Sequence, residues 1–102
     1  MDLSEGQQAT LSALDQFDEC TTADEVAQVL REKGIKGDPM IACSCPLANF
    51  LDQETGDMVH FVTTTTIDRG MDWSTAIPEP LRQFVLAFDR NGYPDLITRS
   101  DA

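Results

Sequence analysis

The chain reads as an α+β domain, with about four helices packed on a small antiparallel β-hairpin. Three observations point there. Apolar residues recur at helical spacing in four stretches, one stretch near residue 60 alternates and carries four successive threonines, and Gly and Pro punctuate the joins. With 102 residues and 41% hydrophobic content, residues 1–102 are expected to form a single compact domain around one core.

The first helix is expected over residues 7–19, because Leu11, Leu14 and Phe17 share a helical face. Ser4 would cap it and Gln7 would reach back to the cap. A second helix over 23–33 has the stronger start: Thr22 followed three residues later by Glu25 is a capping box. Ala23, Val26, Ala27 and Leu30 form its apolar line. Asp24 and Glu25 suit its positive end, Arg31 and Lys33 its negative end, and Gly34 can take the left-handed conformation that closes it.

Residues 35–42 connect, broken by Gly37 and Pro39. Cys45-Pro46 then starts a third helix. Proline is suited to a first helical turn, where its missing N–H is no loss, and it pushes the preceding residue to extended geometry. Leu47, Phe50 and Leu51 give that helix one apolar face. After a polar turn at 52–57, residues 59–68 alternate as a strand, with Phe61 and Ile67 facing the core and His60 facing solvent. Asp68-Arg69-Gly70 reads as the turn of a hairpin, and Met71 to Ile77 as its return strand. Pro78-Glu79-Pro80 opens the last helix, whose buried stripe is Leu81, Phe84, Val85 and Phe88, with Asn91-Gly92 as its stop. Tyr93-Pro94 and Leu96-Ile97 fold back as an apolar tail. The expected core is Leu11, Leu14, Phe17, Val26, Leu30, Leu47, Phe50, Leu51, Phe61, Ile67, Leu81, Phe84, Val85 and Phe88.

Two cassettes, CPLANFL and PEPLRQFVLAFDRNGYPDLI, resemble small orphan proteins of actinobacterial type. Those share a Cys-Pro-aliphatic-Ala helix start, a short β segment, and a closing helix ending in Phe-Asp and then Gly-Tyr-Pro. The resemblance spans roughly the C-terminal two thirds of the chain in broad pattern. It implies a single compact domain and carries no activity. TADEVAQVLREKGIKG in turn looks like the second helix of a winged-helix DNA-binding domain. The helix that follows, CPLANFLD, has no Lys or Arg with which to read DNA.

Charge excludes more than it assigns. The formal net charge is −11, and no Lys or Arg precedes Arg31. Such a surface repels phosphate backbones and anionic lipid heads, which disfavours direct nucleic-acid binding. No apolar run has the ~20 residues of a membrane span, and the N-terminus lacks a signal-peptide pattern, so a cytoplasmic location is expected. The leading reading is a small acidic, non-enzymatic protein-interaction or regulatory module. Asp15, Asp18 and Glu19 would offer the contact surface to an unidentified, basic protein partner, with Trp73 as a second candidate anchor or, alternatively, a core residue. A third reading is an acidic mimic of nucleic acid that occupies a DNA-binding protein. Oligomeric state is not encoded in any pattern here.

The alternative is a thiol-based redox or zinc-binding module. As the cap of the third helix, Cys45 would sit at the positive dipole end, which lowers a thiol's pKa. Cys43, two residues earlier in extended chain, would lie about 6.6 Å away at Cα, within reach of a strained disulfide. Against this, free cysteine is commonly a small buried hydrophobe, and no CxxC is present. Cys20, Cys43, Cys45 and His60 have the chemistry of a Cys₃His zinc site without its spacing. No cofactor and no catalytic set are implied. Asp89, Arg90 and Asp95 would pair near the Tyr93-Pro94 turn.

Overall fold

The computed structural model describes residues 5–38, 41, 43–56, 60–70, 73–90 and 92–97. The expected cap Ser4, the strand residues Val59 and Met71, and the helix stop Asn91 lie outside them. Four α-helices and a three-stranded antiparallel sheet make up the fold: α1 Glu5–Leu14, α2 Ala23–Glu32, α3 Pro46–Thr55, α4 Glu79–Asp89, and β1 His60–Val62, β2 Thr66–Arg69, β3 Trp73–Ala76. The architecture is α+β as expected, with a third strand where a two-stranded hairpin was anticipated.

Helix α1 begins two residues earlier than expected and passes into a 3-10 turn at Asp15–Phe17. Its buried residues are Thr10 and Ala13, followed by Phe17, while Leu11 and Leu14 are only half-buried. The inward line is therefore Gly6–Thr10–Ala13–Phe17, one position off the leucine line. Small residues account for the rotation. The Arg69 guanidinium lies where a side chain at position 6 would be, and α1 packs closely on α3. Phe17 then meets the Phe50 ring edge-on at 4.9 Å.

Helix α2 follows its capping signal. Thr22 Oγ1 accepts the Glu25 N–H at 3.2 Å, and the Glu25 carboxylate reaches back to the Thr21 N–H and hydroxyl at 2.9 and 2.8 Å. Gly34, at φ 69°, closes the helix in the left-handed region. Val26, Ala27 and Leu30 are wholly buried, and the helix packs chiefly on α4 through Leu81, Phe84, Val85 and Phe88. Phe84 stacks with Phe88 and with Tyr93 at ring separations of 5.7 and 5.2 Å. Each aromatic side chain buried in this way contributes on the order of 2–3 kcal/mol from area alone.

The tail folds back as expected. Tyr93 and Leu96 are buried, a 3-10 turn runs from Pro94 to Leu96, and Ile97 forms an isolated parallel bridge with Gly37. Gly37 N–H donates to Leu96 O at 2.8 Å. A side chain at Gly37 would strike the Ser44 carbonyl and Pro46, so this crossing requires glycine. Asp95 does not pair with Arg90 as expected. It takes Arg31 Nε at 2.6 Å, while Arg31 lies over the Tyr93 ring at 5.7 Å.

The sheet holds the main correction. Residues 59–68 do not form one strand: the chain reverses at Thr63–Thr65, so that Val62 faces Ile67 and His60 faces Arg69. Thr63 Oγ1 accepts the N–H groups of Thr65 and Thr66 at 3.2 and 3.0 Å, and Thr63 N–H closes the turn on Thr66 O at 2.9 Å. Threonine favours strands, but its hydroxyl also competes for local backbone, and here that competition wins. The reversal pairs an even position with an odd one, which swaps the faces of the first half. His60 is buried at 1% exposure and Phe61 stands out at 41%, the opposite of the expected arrangement. Strand β3 then pairs with β2, Ile67 facing Thr75 and Arg69 facing Trp73. Trp73 is half-buried, on the edge strand and outside the core cluster.

Candidate functional site

Three places in the fold hold chemistry. The first is a buried polar chain joining α1, α3 and β1. His60 Nδ1 lies 2.8 Å from Asp52 Oδ1, which also accepts the His60 backbone N–H at 3.2 Å. On the other side of the ring, His60 Nε2 lies 2.8 Å from Thr10 Oγ1, and that hydroxyl is 2.9 Å from Gly6 O. A hydroxyl has one proton to give. With a neutral ring bearing its proton on Nδ1, Thr10 donates to Nε2. With a doubly protonated ring, Nε2–H donates to Thr10, whose hydroxyl then turns to Gly6 O. Both arrangements satisfy the imidazole.

The order hydroxyl–imidazole–carboxylate is that of a hydrolytic triad. Thr10 is 0% exposed, however, so no carbonyl reaches its oxygen. The chain acts as a tie between three elements. The alternation pattern hid it, because a strand histidine beside two hydrophobes reads as an outward residue until its partners are known.

The second place is a pocket of about 230 Å³ between the α3 N-terminus, the β1–β2 turn and the end of α4. Cys45, Val62, Val85 and Ile41 form its apolar walls, and Thr63, Thr64 and Asp89 supply the polar ones. It is smaller than most ligand sites, large enough for one short aliphatic group and its polar head.

Cys45 sits at the cap of α3 as expected, at φ −59° and ψ 144°, and is 4% exposed. Of the two readings of its thiol, the small buried hydrophobe matches its surroundings. Burial pushes its pKa up to about 11, and the approach of the Leu47 and Ala48 N–H groups offsets this only in part; the negative charge of Asp89 raises it further. Cys43 is exposed on the preceding turn, Cys20 is half-buried beyond the α1 end, and all three cysteines are free thiols. Burial, then the charges of Glu25 and Glu19, raise the Cys20 pKa as well. Cys20, Cys43, Cys45 and His60 do not converge: among the described residues no three His, Cys, Asp or Glu side chains are placed to hold a metal ion.

The third place is the acidic surface. Asp15, Asp18, Glu19, Asp24 and Glu25 are all exposed, from the α1 end through the first turn of α2. Elsewhere some cations are met by acids within the chain, Arg31 by Asp95, Lys33 by Glu54 at 3.9 Å, and Arg82 by Glu79 at 3.1 Å. Gln16 also hydrogen-bonds Glu54, which ties the 3-10 turn to α3. No helix of the described residues is long and apolar enough to cross a membrane. No family model matches the chain, and no curated protein or solved structure is similar to it.

Proposed function

We propose that this chain is a small acidic protein-interaction module that receives a basic segment of a protein partner. Charge segregation carries the reading. Five carboxylates stand exposed within residues 15–25, and no Lys or Arg precedes Arg31. Exposed like charges on a rigid helix–turn–helix corner raise the encounter rate of a basic segment and orient it before contact. The corner is anchored from below by Phe17 and Val26, so the carboxylates are displayed on fixed backbone.

The thiol alternative on Cys43 and Cys45 finds less support. Cys45 is a buried thiol at neutral pH, with a pKa raised to about 11, and a thiol is a poor nucleophile until ionised.

The test is affinity capture with the full chain and with a triple charge-reversal variant, Asp15→Lys, Asp18→Lys and Glu19→Lys. The expected outcome is a protein retained by the native surface, released by salt, and lost with the variant. Identical recovery by both chains would sink the proposal. Displacement of that protein by duplex DNA would turn the reading towards an acidic nucleic-acid mimic.

A further inference from the structure

We infer that the pocket between α3, the β1–β2 turn and α4 is a socket for one aliphatic cation, the lysine or arginine side chain of a protein partner. The inference rests on the interaction reading above and deepens it, since it names the group that a basic segment would insert.

The chemistry of the walls argues for that occupant. Val62, Val85 and Ile41 offer aliphatic surface of the kind that packs against a methylene stem, while the stem's charged head seeks a polar end. Asp89 supplies that end. It lies in the last turn of α4, where the helix dipole is negative, so its carboxylate and the helix end attract the same sign of charge. A carboxylate has about four acceptor sites, more than any one partner fills, and Asp89 also makes a contact within the chain. The Thr64 hydroxyl lines the same wall and can accept as well, while that of Thr63 is taken up by the turn.

An anion fits poorly. The α3 N-terminus borders the pocket, but the Asp89 carboxylate in its wall repels a negative charge. The chain's net charge of −11 opposes an anion from every side. A volume of about 230 Å³ suits one side chain better than a nucleotide or a large planar cofactor. Ile41, 42% exposed, stands at the rim, and a peptide backbone crossing there would cover it.

The experiment is amide chemical-shift titration of the full isotope-labelled chain with three probes of equal stem length: n-butylammonium, n-butanol and butanoate. The expected result is saturable shifting at Cys45, Thr63, Thr64 and Asp89 by the ammonium alone. Asp89→Asn should weaken that response by about tenfold, the effect of losing one charge-assisted hydrogen bond. A second variant, Thr64→Lys, places a tethered amine at the pocket and should abolish the response in a chain whose fold is verified by its spectrum. Equal response to all three probes overturns the inference, as does ammonium shifting confined to residues 15–25. If the charge-reversal variant loses its partner while the pocket stays silent to ammonium, the socket is wrong and the interaction reading stands.

Discussion

The α2–α4 layer and the β1–β2 hairpin are built on opposite logic. In the helical layer each inward position is apolar, and the inward line follows the helical period without interruption: Val26, Ala27 and Leu30 against Leu81, Phe84, Val85 and Phe88. In the hairpin the inward row pairs Val62 with Ile67 and, one step along, His60 with Arg69. A hydrophobic residue, Phe61, points out, and an imidazole points in. The difference teaches that burial is decided by partners as much as by polarity. A helix brings its own backbone hydrogen bonds and needs only an apolar stripe. A short strand can bury a polar side chain when neighbouring helices present complementary groups, here Asp52 of α3 and Thr10 of α1.

The contrast can be broken most forcefully in the helical layer. Phe84→Ala removes a fully buried ring stacked on Phe88 and Tyr93 and should cost about 3–5 kcal/mol in urea-induced unfolding. On the hairpin side, His60→Leu keeps the volume class but removes both ring hydrogen bonds, leaving the Thr10 hydroxyl only Gly6 O and the inner oxygen of Asp52 only the backbone N–H of residue 60. A loss of about 2–3 kcal/mol is expected. Adding Thr10→Val should recover part of it, because the second substitution removes a hydroxyl oxygen that the first left facing a leucine. Strict additivity of the two in a double-mutant cycle would show that the polar chain does not couple its members.

What was legible in the residues divides along the same line. The start of α2, the proline-led starts of α3 and α4 and the aromatic stripe of α4 are local facts, set by capping groups and a 3.6-residue period. The turn at Thr63–Thr65 was not legible, because threonine at that position satisfies two rules at once. As a β-branched residue it prefers a strand, and as a hydroxyl donor and acceptor it closes a turn on its own backbone. Once that turn is misplaced, every residue before it changes face, and the buried His60 site disappears from view. Cys45 shows the same limit in electrostatics. Its place at a helix start was readable and its burial was one of two readings, but the residues alone did not decide between them, and burial decides the direction of its pKa.

Tyr93 sharpens the comparison at lower amplitude, because from the tail it brings a polar group against the helical layer. Its hydroxyl donates to Asp24 Oδ1 at 2.7 Å. Burial first, then that hydrogen bond and the Asp24 charge, raise its pKa from 10.0 to about 12. The folded state thus favours the neutral phenol. Its contribution is fully present below pH 10 and is lost as pH rises through the window from 10 to about 12. Tyr93→Phe should cost about 1 kcal/mol at neutral pH and should flatten that alkaline decline in a pH series of thermal unfolding. The smallest effect is expected at Phe61. Phe61→Ser on the outer face should change stability by less than about 0.5 kcal/mol, a value that separates the observed face from the alternative in which this ring fills the core.

The crossing of the tail over Gly37 has a consequence for the order in which the molecule assembles. Gly37 and Ile97 meet as neighbours although 60 positions separate them (97 − 37). Closing so long a loop costs chain entropy before its contacts return anything, whereas the capped helices and the three-stranded meander close over short distances in sequence. The tail can dock only after α2, α3 and α4 have framed its seat, and its hydrogen bond to Gly37 ties the connection between α2 and α3 to the end of the fold. That makes the strap a late step of folding. In hydrogen exchange, the Gly37 amide then reports how often the finished molecule opens at its last seam.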